Sequence, residues 1–126
     1  MKSFTNVEQS KKLAEILPTE SADMHYWKRT WKENDYAISV GHSKKLQEGF
    51  ESKCIEYIPC WSLAALRACL PPGISIDGIL YVFESHNTFD DEWVYEYKFE
   101  DISAPLYNKS KNEIDVCYEM IIKMYE

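Results

Sequence analysis

One short stretch, residues 86–92, contains the residue types that could bind a metal ion or move a proton. It brings together His86, Asp90, Asp91 and Glu92. Carboxylate oxygens suit hard cations, and an imidazole nitrogen could complete a Zn²⁺ or Mn²⁺ site. Their spacing matches no calcium-loop or zinc signature, however, and such residues are commoner at a solvated hairpin tip. A small metal-dependent enzyme that uses these four side chains is therefore an alternative hypothesis.

Cysteine chemistry is a second possibility. The four cysteines are irregularly spaced: Cys54, Cys60, Cys69 and Cys117. A nucleophilic cysteine needs a neighbouring cation or base to form its thiolate, and no histidine lies close to Cys60 in sequence. Buried thiols are ordinary core residues, and this spacing predicts no disulfide framework. We therefore expect reduced thiols, no catalytic residue and no cofactor.

Residues 27–32 interleave aromatic and cationic side chains, as platforms for single-stranded nucleic acids do. In a β-strand, Trp27, Arg29 and Trp31 would share one face. The rings that could stack on bases and the cation that could bind a phosphate would therefore be only partly separated between the two faces of the strand. A sheet with one solvated face is the commoner explanation of this pattern. Single-strand binding through these three side chains is a further alternative.

The net charge of −7 is concentrated in one part of the chain. Residues 1–76 carry 10 basic and 9 acidic side chains, residues 77–101 carry 1 and 8, and residues 102–126 carry 3 and 4. This distribution argues against general nucleic-acid binding, which depends on clustered Lys and Arg. A row of carboxylates on a sheet can instead occupy a basic groove of another protein, although it can also serve solubility alone. The residues predicted to contact such a partner are Glu84, Asp90, Asp91, Glu92, Glu96 and Glu100.

These side chains must be positioned by a fold, and the apolar stretch 58–70 is its predicted centre. Only Ser62 and Arg67 are polar within it, which predicts a helix packed on most of its circumference. Pro59 suits the first helical turn, and Pro71 prevents continuation. The bulky side chains expected in the core are Trp61, Leu63, Leu66 and Leu70.

The segments before this stretch predict a helix and a hairpin. Thr5 and Glu8 have capping-box spacing, and an amphipathic helix should run from there to Pro18. Residues 24–40 contain two alternating, aromatic-rich segments around a polar turn, which predicts a β-hairpin. Residues 42–57 are predicted to be a loop with at most a short turn of helix.

The segments after it predict three strands and a last helix. Asp77-Gly78 is typical of a two-residue type I′ hairpin. Residues 86–91 predict a polar turn. Residues 92–100 predict a half-buried strand, with Val94 and the charged side chains in water and four aromatic side chains on the covered face: Trp93, Tyr95, Tyr97 and Phe99. Residues 102–108 predict a proline-containing loop, and residues 110–113 can cap the last helix.

The order α-ββ-α-βββ-α predicts one α+β domain over residues 1–126, with antiparallel β-hairpins packed against about three helices. A chain of 126 residues with 45% hydrophobic residues can bury a single core. No stretch approaches the roughly 18–20 apolar residues of a membrane span, and the first residues lack the apolar run of a signal peptide. We therefore expect a cytoplasmic protein, with its oligomeric state open.

Three parts of the chain carry a resemblance: EQSKKLAEILP (8–18), ESADM (20–24) with IPCWSLAAL (58–66), and IDVCYEMIIK (114–123). They resemble a group of small uncharacterised proteins encoded by gut Bacteroidales genomes, often among prophage or other mobile-element genes. The resemblance implies a bacterial or phage cytoplasmic protein with a shared helical framework. That group has no known activity, so no functional residue is carried over.

The sequence thus favours a non-catalytic protein that binds another macromolecule through an acidic β-face. A protein partner is expected, rather than nucleic acid or a membrane. The metal-dependent enzyme and the single-strand binder remain the two alternatives.

Overall fold

The computed structural model describes residues 3–33, 35–41, 44–53, 55–100 and 102–125. Cys54 and residues 42–43 of the predicted loop lie outside this part of the chain. The helices are α1 (Val7–Ala14), α2 (Lys44–Ser52), α3 (Leu63–Ala68) and α4 (Glu113–Tyr125), with one 3₁₀ turn at Thr19–Ser21. The strands are β1 (Met24–Arg29), β2 (Ala37–Val40), β3 (Ile55–Cys60), β4 (Gly73–Ile76), β5 (Ile79–Asn87), β6 (Trp93–Phe99) and β7 (Ile102–Ser110).

The strands form two antiparallel sheets, which confirms the predicted single-domain α+β class. The first sheet has the strand order β2-β1-β3, and the second has the order β4-β5-β6-β7. The predicted hairpin around residues 32–35 is the β1–β2 pair, with Met24 opposite Val40. The Asp77-Gly78 hairpin is also confirmed, because both residues have the positive φ angles, 52° and 82°, that a type I′ turn requires.

The stretch predicted as the central helix is part strand and part helix. Pro59 does not begin a helix but pairs with His25 in β3, an edge strand, where its missing N–H costs no ladder hydrogen bond. The helix begins after Ser62, whose side chain accepts a hydrogen bond of 3.2 Å from the Ala65 N–H. Because the helix is short and its Arg67 side is exposed, the prediction of burial on most of its circumference was wrong. Trp61 and Leu66, by contrast, are completely buried as predicted.

Two other regions predicted as loops are regular structure. Residues 42–57 contain α2 and the start of β3, and residues 102–108 belong to β7. β7 is an edge strand and holds Pro105, so a proline again lies where a sheet tolerates it. The predicted turn at residues 86–91 is also displaced, since β5 continues to Asn87.

Helix α1 connects the two parts of the core. Its N-cap is Asn6, which forms a capping box with Gln9, so the prediction that Thr5 caps the helix was wrong. Leu13 belongs to the large core between α3, α4 and the four-stranded sheet, whereas Val7 packs on a smaller cluster around Tyr26 of the three-stranded sheet. One amphipathic helix therefore supports both sheets.

Both faces of strand β6 are buried in the middle of the strand. Of the four aromatic residues predicted on one covered face, Tyr95 and Tyr97 are completely buried beneath α3 and α4, Trp93 is partly buried, and Phe99 at the end of the strand is 41% exposed. Val94 and Glu96, which the same pattern placed in water, are only 3% and 6% exposed. β6 is an inner strand, and side chains of its neighbours β5 and β7 flank its outward face. The prediction that one face of this strand lies in water was therefore wrong for the middle of β6.

Candidate functional site

The connection between β5 and β6, residues 88–92, is a tightly hydrogen-bonded turn. The Thr88 N–H donates to the Glu92 carbonyl over 2.7 Å, and the Glu92 N–H donates to the Thr88 hydroxyl over 3.1 Å. The Asp91 N–H donates to the Thr88 carbonyl over 3.0 Å, and Asp91 has a φ of 59°. These bonds fix the backbone of the turn, and with it the positions from which the side chains of the tip project. We call residues 88–92 the hairpin tip.

Phe89 projects from the hairpin tip into solvent. Its exposed fraction is 105%, the highest among the large hydrophobic side chains that the structure describes. A buried Phe stabilises a fold by roughly 1.5–3 kcal/mol, and Phe89 contributes none of that to its own chain. The side chain is thus free to be buried by another molecule at no cost to the fold.

The carboxylates of the hairpin tip differ in their surroundings. Asp90 and Asp91 are exposed beside Phe89. Glu92 is half-buried, and its carboxylate lies 3.5 Å from the Lys109 ammonium on β7. The tip therefore presents an exposed aromatic ring that is followed in the chain by two exposed carboxylates.

The other predicted partner-binding carboxylates lie elsewhere on the same sheet. Glu84 and Glu96 are directly opposite each other on β5 and β6, and their carboxylates lie 4.0 and 3.7 Å from the Lys98 ammonium. Glu96 is also buried, so it offers little surface to a partner. Glu100 is exposed at the opposite end of β6, in the turn that leads to β7. The structure thus does not gather the six carboxylates into one continuous face.

The predicted metal ligands are not brought together. Among the described residues, no three His, Cys, Asp or Glu side chains come close enough to hold a metal ion. His86 lies in β5 opposite Val94 rather than in the turn, and Glu92 faces Lys109. No metal site is therefore formed from His86, Asp90, Asp91 and Glu92 in this arrangement.

The aromatic and cationic residues of the alternative nucleic-acid site are divided between two environments. Trp27 is half-buried: its indole N–H lies 3.4 Å from the Ser39 hydroxyl and its ring packs on Phe50. Trp31 is 68% exposed, and the Arg29 guanidinium lies 5.9 Å from the centre of its ring. Arg29 and Trp31 therefore form an exposed pair, while Trp27 is a fixed part of the sheet.

The described cysteines are held as thiols. Cys60 lies at the end of β3 rather than in a helical turn, and it is completely buried next to Thr5. Burial raises the pKa of Cys60 and raises that of Cys117 to about 12. A thiol with a raised pKa is a poor nucleophile at neutral pH, so neither residue is suited to covalent catalysis.

Sequence reasoning missed Phe89 because it grouped the residue with its polar neighbours in a turn. A signal was present, since a single aromatic residue stands between Thr88 and Asp90 in a connection that is otherwise polar. Such a side chain has no strand or helix face on which to be buried. Its isolation in the sequence therefore predicts exposure.

The comparisons with known proteins identify no relative. No protein-family model matches the chain, and no match was found among curated proteins or solved structures. Among the described helices, none combines the length and apolar composition needed to cross a lipid bilayer.

Proposed function

We propose that this protein is a non-catalytic binding protein whose hairpin tip docks on another protein. The observation that carries the proposal is the complete exposure of Phe89 on a turn fixed by its own hydrogen bonds. In this proposal Phe89 enters an apolar pocket of the partner. Asp90 and Asp91 then face Lys or Arg side chains at the rim of that pocket.

An aromatic anchor surrounded by polar residues is the usual composition of an interface hot spot. Because the turn is already ordered, binding through Phe89 would lose little conformational entropy of the backbone. Burying the ring would supply roughly 1.5–3 kcal/mol, a large share of the binding energy of a small interface.

Charge supports a cationic partner surface. Residues 77–101 carry one basic and eight acidic side chains, and the chain has a net charge of −7. Since Glu84, Glu92 and Glu96 lie near lysines, the exposed negative charge of the tip comes from Asp90 and Asp91. Exposed charges attract a partner mainly within about 8 Å at physiological salt, so the attraction should weaken as salt is added.

Cellular location forms a further part of the proposal. Cys60, Cys69 and Cys117 are free thiols, and two of them are completely buried. Free thiols are typical of reducing compartments. We therefore assign the protein to the cytoplasm, in keeping with the bacterial or phage origin that the sequence resemblance implies.

Photocrosslinking in the cells that express the protein tests the docking site. A benzophenone amino acid replaces Phe89 in one variant and Trp31, another exposed aromatic residue, in a matched control. We expect one covalent protein adduct from position 89 and none from position 31. Adding Asp90→Lys and Asp91→Lys to the position-89 variant should abolish the adduct, because the charge of the tip is reversed.

The stability of Phe89→Ser completes the test. Because Phe89 is not buried in its own chain, the melting temperature of Phe89→Ser should equal that of the wild type. The variant should nevertheless lose binding to the crosslinked partner. Equal crosslinking from positions 89 and 31, or an adduct that survives the charge reversal, would contradict the proposal.

A further inference from the structure

A cavity of about 180 Å³ lies at the end of the β1–β2 hairpin, on the sheet that does not carry the hairpin tip. Its lining consists of Trp27, Lys28, Arg29, Lys32, Asp35 and Ala37. Three of these side chains are cations and one is a carboxylate, in a protein that is strongly acidic as a whole. The local surplus of positive charge indicates an anionic ligand.

Two of the three cations are available to such a ligand. Lys28 belongs to the fold, because its ammonium lies 3.1 Å from the Glu56 carboxylate and donates to the Lys32 carbonyl over 2.9 Å. Lys32 lies 3.8 Å from Asp35, but both side chains are more than half exposed. An exposed ion pair of this kind contributes only about 0–1 kcal/mol, so an anion can displace Asp35 from Lys32.

Arg29 is the better placed of the available cations. It is exposed, and among the described residues no carboxylate lies within ion-pair distance of its guanidinium. Its guanidinium lies 5.9 Å from the centre of the Trp31 ring, so an anion bound at Arg29 would also lie close to that indole. A planar guanidinium presents paired N–H donors that match the oxygens of a phosphoryl group.

One aromatic residue, Trp27, lines the cavity, and a second, Trp31, lies next to the lining residue Arg29, which indicates a ligand that also has a flat ring. Trp31 is 68% exposed beside Arg29, and Trp27 forms a fixed side of the cavity through its contacts with Ser39 and Phe50. Base rings stack on exposed indoles with a gain of about 1–3 kcal/mol per base. The cavity is smaller than the roughly 300 Å³ at which whole-ligand pockets begin, so it would hold only one end of the ligand.

We propose that this cavity binds a nucleotide, with the phosphoryl group at Arg29 and Lys32 and the base stacked on Trp31. Free mononucleotides and the phosphorylated end of a single strand carry the same chemistry. The site is independent of the hairpin tip, since no residue is shared between them.

Calorimetric titration with AMP, adenosine and inorganic phosphate tests the site, with tryptophan fluorescence as a second readout. We expect AMP to bind more tightly than either adenosine or inorganic phosphate. Stacking of the base on Trp31 should also quench the tryptophan fluorescence of the protein. Arg29→Gln should weaken AMP binding by about tenfold or more, because a charge-assisted pair of hydrogen bonds is lost. Lys111→Gln, which removes an exposed cation just before α4, is the matched control and should bind like the wild type.

A bulkier side chain in the cavity distinguishes binding at this site from general electrostatic attraction between the protein and AMP. Ala37→Leu keeps every charge, and the exposed position of Ala37 on an edge strand should tolerate the larger side chain. We expect it to abolish AMP binding while its melting temperature stays near that of the wild type. Wild-type affinity in Ala37→Leu, equal weakening in Arg29→Gln and Lys111→Gln, or equal binding of AMP and adenosine would overturn the proposal.

A short oligothymidylate, with and without a 5′-phosphate, distinguishes a free nucleotide from the phosphorylated end of a single strand as the ligand. Tighter binding of the phosphorylated strand than of AMP would assign the site to strand ends, whereas AMP binding alone would assign it to free nucleotides. Absence of binding by both would overturn the proposal. Phe89→Ser should bind AMP like the wild type, so failure at this site is distinguishable from failure at the hairpin tip.

Discussion

Two tyrosine hydroxyls that lie inside the fold make its stability sensitive to high pH. The Tyr26 hydroxyl donates to the Thr5 carbonyl over 2.7 Å, and the Tyr97 hydroxyl donates to the Pro71 carbonyl over 2.8 Å. Burial raises the pKa of each tyrosine to about 12. Both hydroxyls therefore stay protonated in the folded protein at a pH where an exposed tyrosine, with a pKa near 10, ionises.

The sign of the pH effect follows from these pKa values. Between about pH 10 and pH 12 the unfolded chain releases protons that the folded chain retains, so the free energy of unfolding falls as the pH rises. Below about pH 10, the stabilisation that comes from the raised pKa values of Tyr26 and Tyr97 is fully present. Tyr26→Phe should cost about 1 kcal/mol at pH 8, because a hydrogen bond is lost, and should make the decline above pH 10 shallower. Urea denaturation at a series of pH values measures both effects.

Tyr107→Phe is the matched control, because the Tyr107 side chain is nearly half exposed. It should leave the slope of stability against pH unchanged. An equal change of slope in Tyr26→Phe and Tyr107→Phe would show that burial of the Tyr26 hydroxyl is not the cause.

At the same scale, the sequence predicted some side-chain environments and missed others for a physical reason. Alternation along β6 correctly predicted that Tyr95 and Tyr97 are buried, because aromatic residues at every second position of a strand lie on one face, and the middle of that face is covered. It could not predict that Glu96 is buried. Burial there depends on Lys98 and on the two neighbouring strands, and their pairing is not visible in a single segment.

Two glycines allow a test at the scale of secondary-structure elements. Gly49 lies in α2, where an added Cβ would have no atom within 4 Å. Gly78 lies in the β4–β5 turn with a φ of +82°. Gly49→Ala should stabilise the protein by about 0.5–1 kcal/mol, since alanine reduces the backbone entropy lost on forming a helix. Gly78→Ala should destabilise it by about 1–2 kcal/mol, since an L side chain disfavours that φ.

Urea denaturation of the two variants and the wild type measures these changes. Both substitutions add one methyl group to an exposed position, so each serves as the control for the other. The same sign of change in both variants would contradict the assignment of a helix at Gly49 and a positive-φ turn at Gly78.

Prolines explain which elements could be predicted from the sequence. The Asp77-Gly78 hairpin was predictable because its geometry depends on two adjacent residues alone. β3 and β7 were missed because Pro59 and Pro105 suggest a helix start and a loop. A proline is acceptable in a strand only at a sheet edge, and edge position is a property of the complete sheet. Local sequence therefore could not predict either strand.

For the whole molecule, the main question is how two sheets share one core. Trp61 directly follows β3 of the three-stranded sheet, yet its side chain is buried in the large core with α3, α4 and the four-stranded sheet. Its main-chain N–H donates to the Thr5 hydroxyl over 3.2 Å, and its indole N–H donates to the Ser21 hydroxyl over 2.9 Å. Leu13 of α1 reaches the same core. These contacts indicate that both sheets unfold together.

Trp61→Ala tests this coupling. The substitution leaves a cavity in the core and should lower the free energy of unfolding by about 3–5 kcal/mol. Labelling with 5-fluorotryptophan provides one ¹⁹F NMR probe in each sheet, Trp27 in β1 and Trp93 in β6. In urea, both signals should change at the same midpoint in the wild type, and both should move to the same lower midpoint in the variant.

Trp31→Ala, which removes an exposed indole, is the control and should shift the Trp27 and Trp93 midpoints only by the small amount expected of a surface substitution. If the Trp93 midpoint fell while that of Trp27 stayed at its wild-type value, the two sheets would be independent folding units.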